Sequence, residues 1–394
     1  MIFRKFIATL TVCAAALVGS AQTVDFNFMN VGDIYLVVEN MHFFRNNEFD
    51  GGHVKGYTLP GFTLTPRLAW QWTENVAVEA GAHWIHYWGS SSYPHGTYWG
   101  LADYEADGKA MHVVPWLRAS VDFGKGWRMV FGSLGSGIDH NLPLPLWDSE
   151  LQQIADPEAG LRLTHNSTHI DLDVWCDWRD FIFNNSPTQE RFVFGSSVWA
   201  KPSAPESKVQ ISVPLHFIAM HNGGEILAQR IKATNNFNAA TGVTAEFDLN
   251  TMASGSYVQV NLLAAGYHQH GNDSIPFTLG YGLFSAITLG YNDLSLQAAW
   301  WRGDRFKSLL GEEFFCNMSA MTPGMVFGRY DMFVTTLMYD TYIARRTRLT
   351  LDATLYYNAA TRVTYANGTA ADIPAATSFT VGAVLHLSPR LKIK

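Results

Sequence analysis

Residues 169–183 read HIDLDVWCDWRDFIF. Within them Asp171, Asp173, Asp177 and Arg179 alternate with Leu172, Val174, Cys176 and Trp178. That period of two puts charges on one face of a strand and apolar groups on the other. Both a half-buried soluble strand and a strand with lipid on one side and a watery lumen on the other carry this pattern. Just upstream, residues 131–163 read FGSLGSGIDHNLPLPLWDSELQQIADPEAGLRL, a strand running into one long connection rich in proline, acid and tryptophan.

Working outward, the alternation recurs along the chain. Residues 76–88 set Val76, Val78, Ala80, Ala82 and Trp84 against Glu79 and His83, and residues 110–123 set Val113, Leu117, Ala119, Val121 and Phe123 against His112, Trp116, Arg118, Ser120 and Asp122. Further segments at 33–44, 57–72, 127–136, 158–165, 189–200, 208–219, 240–249, 256–268, 276–289, 294–302, 324–340, from Arg346 onward, and 376–387 bring the count to about 16, each near the length of a tilted membrane strand. Between them, short turns such as Gly124-Lys125-Gly126 and Asn166-Ser167-Thr168 alternate with longer loops; only the link at 184–188 is short on the long-loop side. No repeat of propeller-blade length is present.

The chain opens MIFRKF, continues through an apolar run from Phe6 to Val18 and reaches Gly19-Ser20-Ala21, the order of a secretory signal peptide with cleavage expected after Ala21. Residues 22–394 then form a single barrel domain. Charged residues are 15% of the chain and aromatics 14%, a balance suited to a surface that is partly lipid. The net charge of −7, more negative once Arg4 and Lys5 leave with the leader, argues against nucleic acid as a partner. Cys176 and Cys316 are too few for a disulfide-dependent scaffold, though an oxidising compartment permits their pairing.

In its leader, alternating strands with aromatic ends, polar loops and lack of a helical domain, the chain resembles bacterial outer-membrane β-barrel proteins, the porin-like ones in particular. The resemblance is architectural and covers the whole mature chain. It implies an all-β, antiparallel transmembrane barrel of about 16 strands with short periplasmic turns and long extracellular loops. One departure is the run SPRLKIK after Leu387, where such barrels often end on an aromatic; it is expected to be a periplasmic tail or a less typical assembly signal.

A charge facing lipid at the midplane costs roughly 2–4 kcal/mol. Arg67, Arg118, Asp122, Arg128, Arg162, Asp171, Asp173, Asp177, Arg179, Arg346, Arg348 and Asp352 are therefore expected in the lumen, with cross-strand pairing of Arg162 to Asp171 or Asp173. The loop at 137–157 carries Leu142, Leu144, Leu146 and Trp147, stiffened by Pro143 and Pro145, so it is expected to fold into the mouth as a constriction, presenting Asp148, Glu150, Asp156 and Glu158. Trp70, Trp72, Trp84, Trp88, Phe123 and Trp178 suit interfacial girdles, while Tyr93, Tyr98, Trp99, Trp116, Trp147 and Trp175 are placed to stack on sugars.

The sequence thus points to a channel or binding barrel for a polar solute such as an oligosaccharide, set in outer-membrane lipid. Two alternatives stand beside it: an outer-membrane hydrolase acting on lipid or glycan, and a surface barrel with a plugged lumen. For a hydrolase, His140 with Asp139 and Ser136, or His221 with Ser212, are the available groupings, without any Gly-x-Ser-x-Gly elbow. Paired carboxylates Asp148 and Glu150, or Glu158 and Asp171, are a further possibility for glycoside chemistry. His83 and His86 lie on opposite strand faces and make no joint metal site; no cofactor is implied.

Overall fold

The computed structural model describes residues 29–89, 111–184, 188–224 and 232–394. The leader and the loop aromatics Tyr93, Tyr98, Trp99 and Tyr104 lie outside the described residues. Sixteen antiparallel strands close into a barrel: β1 (Ile34–Glu48), β2 (Tyr57–Gln71), β3 (Val76–Tyr87), β4 (Met111–Gly124), β5 (Trp127–Ser136), β6 (Pro157–Asn166), β7 (Ile170–Asp180), β8 (Glu190–Ala200), β9 (Val209–Gly223), β10 (Thr234–Asp248), β11 (Ser256–His270), β12 (Leu279–Tyr291), β13 (Leu294–Asp304), β15 (Tyr330–Ala344), β16 (Thr347–Asn358) and β19 (Ala376–Leu387). Each strand pairs with the next in the chain, and β19 closes on β1 from Asn40↔Leu387 to Glu48↔Phe379. Closure leaves no open edge, which a hydrocarbon surrounding does not tolerate.

Three details differ from the sequence reading. The run after Leu387 is no tail: β20 (Arg390–Lys392) pairs with Tyr35–Val37 and extends the seam to the foot of β1. The segment at 324–340 divides into β14 (Val326–Phe327) and β15, and the loop after β16 carries β17 (Thr361–Thr364) and β18 (Ala370–Ile373), which join β14 in a small sheet at the long-loop rim. Strand β10 begins six residues earlier than expected because Thr234–Asp248 pairs along β9 and β11.

The period of two sorts the side chains as expected. Leu172, Val174, Cys176 and Trp178 face out while Asp173, Trp175 and Asp177 are buried inside; Trp70, Trp72, Trp88, Phe123 and Trp178 are exposed near strand ends. Cys176 on the outer wall and Cys316 buried in the lumen are free thiols on opposite sides of the wall, so they do not pair.

Apolar side chains fill the lumen on the β7–β16 side. Leu142, Leu146 and Trp147 of the 137–157 connection and Phe306, Phe314 and Phe315 of the β13–β14 connection pack there against Trp175, Trp301 and Met332 of the wall. Two inward tryptophans lie over glycines on a neighbouring strand. A Cβ at Gly195 would sit 2.1 Å from the Trp175 ring, and one at Gly282 would sit 1.8 Å from Trp301. These strand glycines are gaps cut for aromatic rings.

Two stability outcomes follow for detergent-solubilised protein in denaturant titrations. Trp301→Ala is expected to cost about 3–5 kcal/mol by emptying the lumen core, and Gly195→Ala about 1–3 kcal/mol by driving Trp175 off its seat.

Candidate functional site

The inward charges are paired, within strands and between them. Across β1 to β4, Arg67 donates to Glu39 (2.7 Å) and forms an ion pair with Glu79 (2.5 Å), the Trp116 indole donates to Glu79 (3.2 Å), and the Arg118 guanidinium lies 4.6 Å from the Trp116 ring centre. Asp122 pairs with Arg128 at 3.6 Å, Asp171 with Lys201 at 2.8 Å, Asp177 with Arg179 at 2.8 Å, and Arg348 with Asp340. Arg162 takes Asp173, not Asp171, at 2.7 Å. Arg346 is not on the wall; it occupies the β15–β16 turn with φ 61°.

The connection at 137–157 is drawn into the barrel by one histidine. His140 is fully buried, stacks 3.7 Å from the Trp175 ring at 5°, and places its two ring nitrogens 2.9 Å from Asp173 and 2.9 Å from Glu158. Its backbone and that of Asn141 adopt left-handed conformations (φ 49° and 55°), which cost an L-residue on the order of 1–2 kcal/mol each. Burial alone would lower the imidazole pKa, but the two carboxylates outweigh it and raise it to about 9. The ring is therefore a cation held by two anions, both of its nitrogens occupied. It has no nitrogen to offer Ser136, so the expected grouping with Ser136 and Asp139 does not form. His221 binds Asn235 at 2.8 Å from the lipid side of β9, where Ser212 faces inward near the opposite rim. Ser136 instead meets His83, Oγ to Nε2 at 3.3 Å, and the other His83 nitrogen lies 2.8 Å from the Thr65 hydroxyl.

A cavity of about 250 Å³ lies at the long-loop rim between this connection and the β13–β14 loop. The two loops meet where the Asp148 amide donates to Leu310 O at 2.8 Å. Asp148, Glu150 and Glu312 line the cavity. Glu150 heads the short α1 helix (Leu151–Ile154) and accepts from the Asn47 amide (2.9 Å) and the Tyr57 hydroxyl; Glu312 accepts from the Tyr356 hydroxyl at 2.8 Å. Arg45 is the buried cation at this cluster, donating to Asp352 at 3.3 Å, and its Nε has no partner. Asn47 Oδ1 and Thr380 Oγ1 are likewise buried, unpartnered and on the cavity wall.

Burial raises Glu312 to about 7, with Tyr356 and Arg45 pulling it down and Glu150 pushing it up. Burial together with Glu312 and Glu150 holds Asp148 well above the usual carboxylate range. A carboxyl near neutrality, a spare guanidinium N–H and unsatisfied buried polar atoms in one open cavity are the chemistry of a reactive or binding site. Asp148 and Glu150 were legible as candidates; Arg45, Asn47, Tyr57, Glu312 and Tyr356 were not. Among the described residues, no group of three or more His, Cys, Asp or Glu side chains is arranged to hold a metal ion.

The fold and site define an outer-membrane-type β-barrel with two of its loops folded into the mouth around a polar cavity. The chain belongs to the family described as Lipid A 3'-O-deacylase-type, whose profile matches residues 26–394. No curated protein matches it. Among solved structures it is similar to OccAB4 of Acinetobacter baumannii (TM-score 0.51, 10% identity, 93% of this chain and 100% of that one) and to OmpT of Vibrio cholerae (0.48, 11%, 91% and 99%), a likeness of fold.

The His140 cation contributes stability fully present below its unfolded pKa near 6.5 and lost as pH rises through about 9. Hydrogen exchange of residues 137–157, corrected for intrinsic rate, is expected to show protection falling above pH about 9, and His140→Gln to remove that step.

Proposed function

We propose that this barrel is an outer-membrane hydrolase that cleaves an acyl ester of a lipid A-type glycolipid in the long-loop cavity. Membership of the deacylase-type family carries the reaction class. The cavity supplies groups suited to it, and the apolar packing on the β7–β16 side of the lumen favours a reaction site over a conduit.

Ester hydrolysis needs a base for water, a donor for the oxyanion and a proton for the leaving alkoxide. Glu312, titrating near 7, takes the proton from a water that attacks the ester carbonyl. The unpartnered Nε of Arg45 donates to the oxyanion, and the protonated Glu312 returns its proton to the departing sugar oxygen. Tyr356 holds the Glu312 carboxylate, as Tyr57 and Asn47 hold Glu150. Asp148, whose pKa burial and the neighbouring Glu312 and Glu150 raise well above the usual carboxylate range, donates a hydrogen bond to the substrate carbonyl or sugar in its protonated form.

A second reading rests on the 3.3 Å contact of Ser136 with His83, oriented by Thr65: a serine nucleophile with its base. Both side chains are buried and lie off the cavity wall.

Point variants separate the two. Glu312→Gln is expected to lower the deacylation rate about 10²–10⁴-fold and Ser136→Ala to leave it within a few-fold; the reverse order would move catalysis to the serine. With Glu312 acting as base, the wild-type rate is expected to rise with pH through about 7 and then level. A rate that falls over that interval would remove Glu312 from the role. Steady ion current is not expected in planar bilayers.

A further inference from the structure

The cavity between the two inserted loops has two unlike ends. Glu150 and Glu312 are held on one side of the barrel, by Asn47 of β1, Tyr57 of β2 and Tyr356 of β16. On the far side of the ring the polar lining is made of amides, Asn222 of β9, Asn236 of β10 and Asn272 just beyond β11. The β13–β14 connection spans the gap between them. Asn238 of β10, fully buried, donates to the Lys307 carbonyl at 2.9 Å and accepts from the Leu309 amide at 2.8 Å, while Glu312 of the same connection reaches Tyr356.

Lys307 is thereby anchored at the amide end. Its side chain is half-buried on the cavity wall and makes no hydrogen bond or ion pair with a described residue. Burial draws its pKa down, Glu313 and Cys316 push it up, and the net is a rise, so the ammonium is charged at neutral pH. A charge taken from water without a contacting counter-ion is costly. Beside it, Asn236 follows the same inward face of β10 one step nearer the rim and is 3% exposed. Its Oδ1 accepts from the Tyr267 hydroxyl at 3.0 Å and from Asn272 at 3.4 Å, which leaves Nδ2 as a donor without a described partner. Asn222 Oδ1 is a buried acceptor with no donor.

We infer that the Lys307 end of the cavity is an anion subsite for a phosphate carried on the sugar head of the glycolipid, and that it sets the direction in which the substrate lies. Lys307 and Asn236 offer donors to the anion, and Asn222 Oδ1 offers an acceptor to a sugar hydroxyl. An ammonium with three rotatable donors beside an amide suits a phosphate, whereas a carboxylate is matched by a planar guanidinium fork. Asp148, Glu150 and Glu312 repel an anion from the opposite end, so a substrate held by its phosphate at Lys307 leaves its ester facing the carboxylates. The orientation rests on the hydrolase reading; the anion subsite does not.

The test titrates the purified full-length barrel in zwitterionic detergent calorimetrically, at neutral pH, with glucose 6-phosphate, glucuronate and glucose. Glucose 6-phosphate is expected to bind roughly tenfold or more tighter than either of the others, the worth of one charge-assisted hydrogen bond. Lys307→Met is expected to abolish that preference and Lys307→Arg, which keeps the charge, to retain it. Equal affinities or no binding by the wild type, a preference for glucuronate, a preference that survives Lys307→Met, or one lost in Lys307→Arg would each overturn the phosphate subsite.

A second arm compares deacylation of phosphorylated and dephosphorylated lipid A. Lys307→Met is expected to raise KM for the phosphorylated form by roughly tenfold, with kcat within a few-fold and KM for the dephosphorylated form unchanged. An equal loss of kcat on both would put Lys307 at the ester and overturn the orientation. If the wild type cleaves neither lipid, the hydrolase reading fails while the sugar titration still decides the subsite.

Discussion

Closure of β1 on β19 and β20 is the constraint from which the rest of the molecule follows. In hydrocarbon each unpaired backbone N–H or C=O costs several kcal/mol. The seam must therefore be hydrogen-bonded along its length, and Arg390–Lys392 completes it where β19 stops at Leu387. Once the sheet is closed, inside and outside are fixed at every second residue. Charges then turn inward, where they answer one another as in the Glu39–Arg67–Glu79 chain.

A ring of sixteen strands encloses more space than wall side chains fill. The loops supply the remainder. Leu142, Leu146 and Trp147 enter from one connection, Phe306, Phe314 and Phe315 from another, and the His140 cation between Asp173 and Glu158 fixes the first of them to β6 and β7. Where the two loops meet, through the Asp148 amide and Leu310, they leave a cavity lined by acids with one buried arginine. The carboxylates there are crowded and poorly solvated, which raises Glu312 and Asp148; reactivity at this point is a consequence of how the lumen is filled.

The wall was largely legible in the sequence because a period of two survives any tertiary context. The lipid-facing set Leu172, Val174, Cys176 and Trp178, the inward Arg162–Asp173 pair and the inserted Leu142–Trp147 segment all follow from local pattern and the cost of misplacing a charge. The site was legible only in part. Arg45, Tyr57, Glu312 and Tyr356 come from β1, β2, a loop and β16, and nothing local marks them, since closure brings them together. Nearness in sequence misled at Ser136: His140 is four residues away but held by two carboxylates, while His83, from β3, lies beside the hydroxyl. The small sheet of β14, β17 and β18 was hidden because strands this short carry no period.

The mass of lipid A before and after exposure to the barrel tests the cavity's reaction most directly. Purified barrel incubated with lipid A vesicles and analysed by mass spectrometry is expected to release one ester-linked fatty acid, leaving the lipid lighter by that acyl chain. A lipid A spectrum unchanged after prolonged incubation with folded protein would contradict the claim that this cavity cleaves an acyl ester.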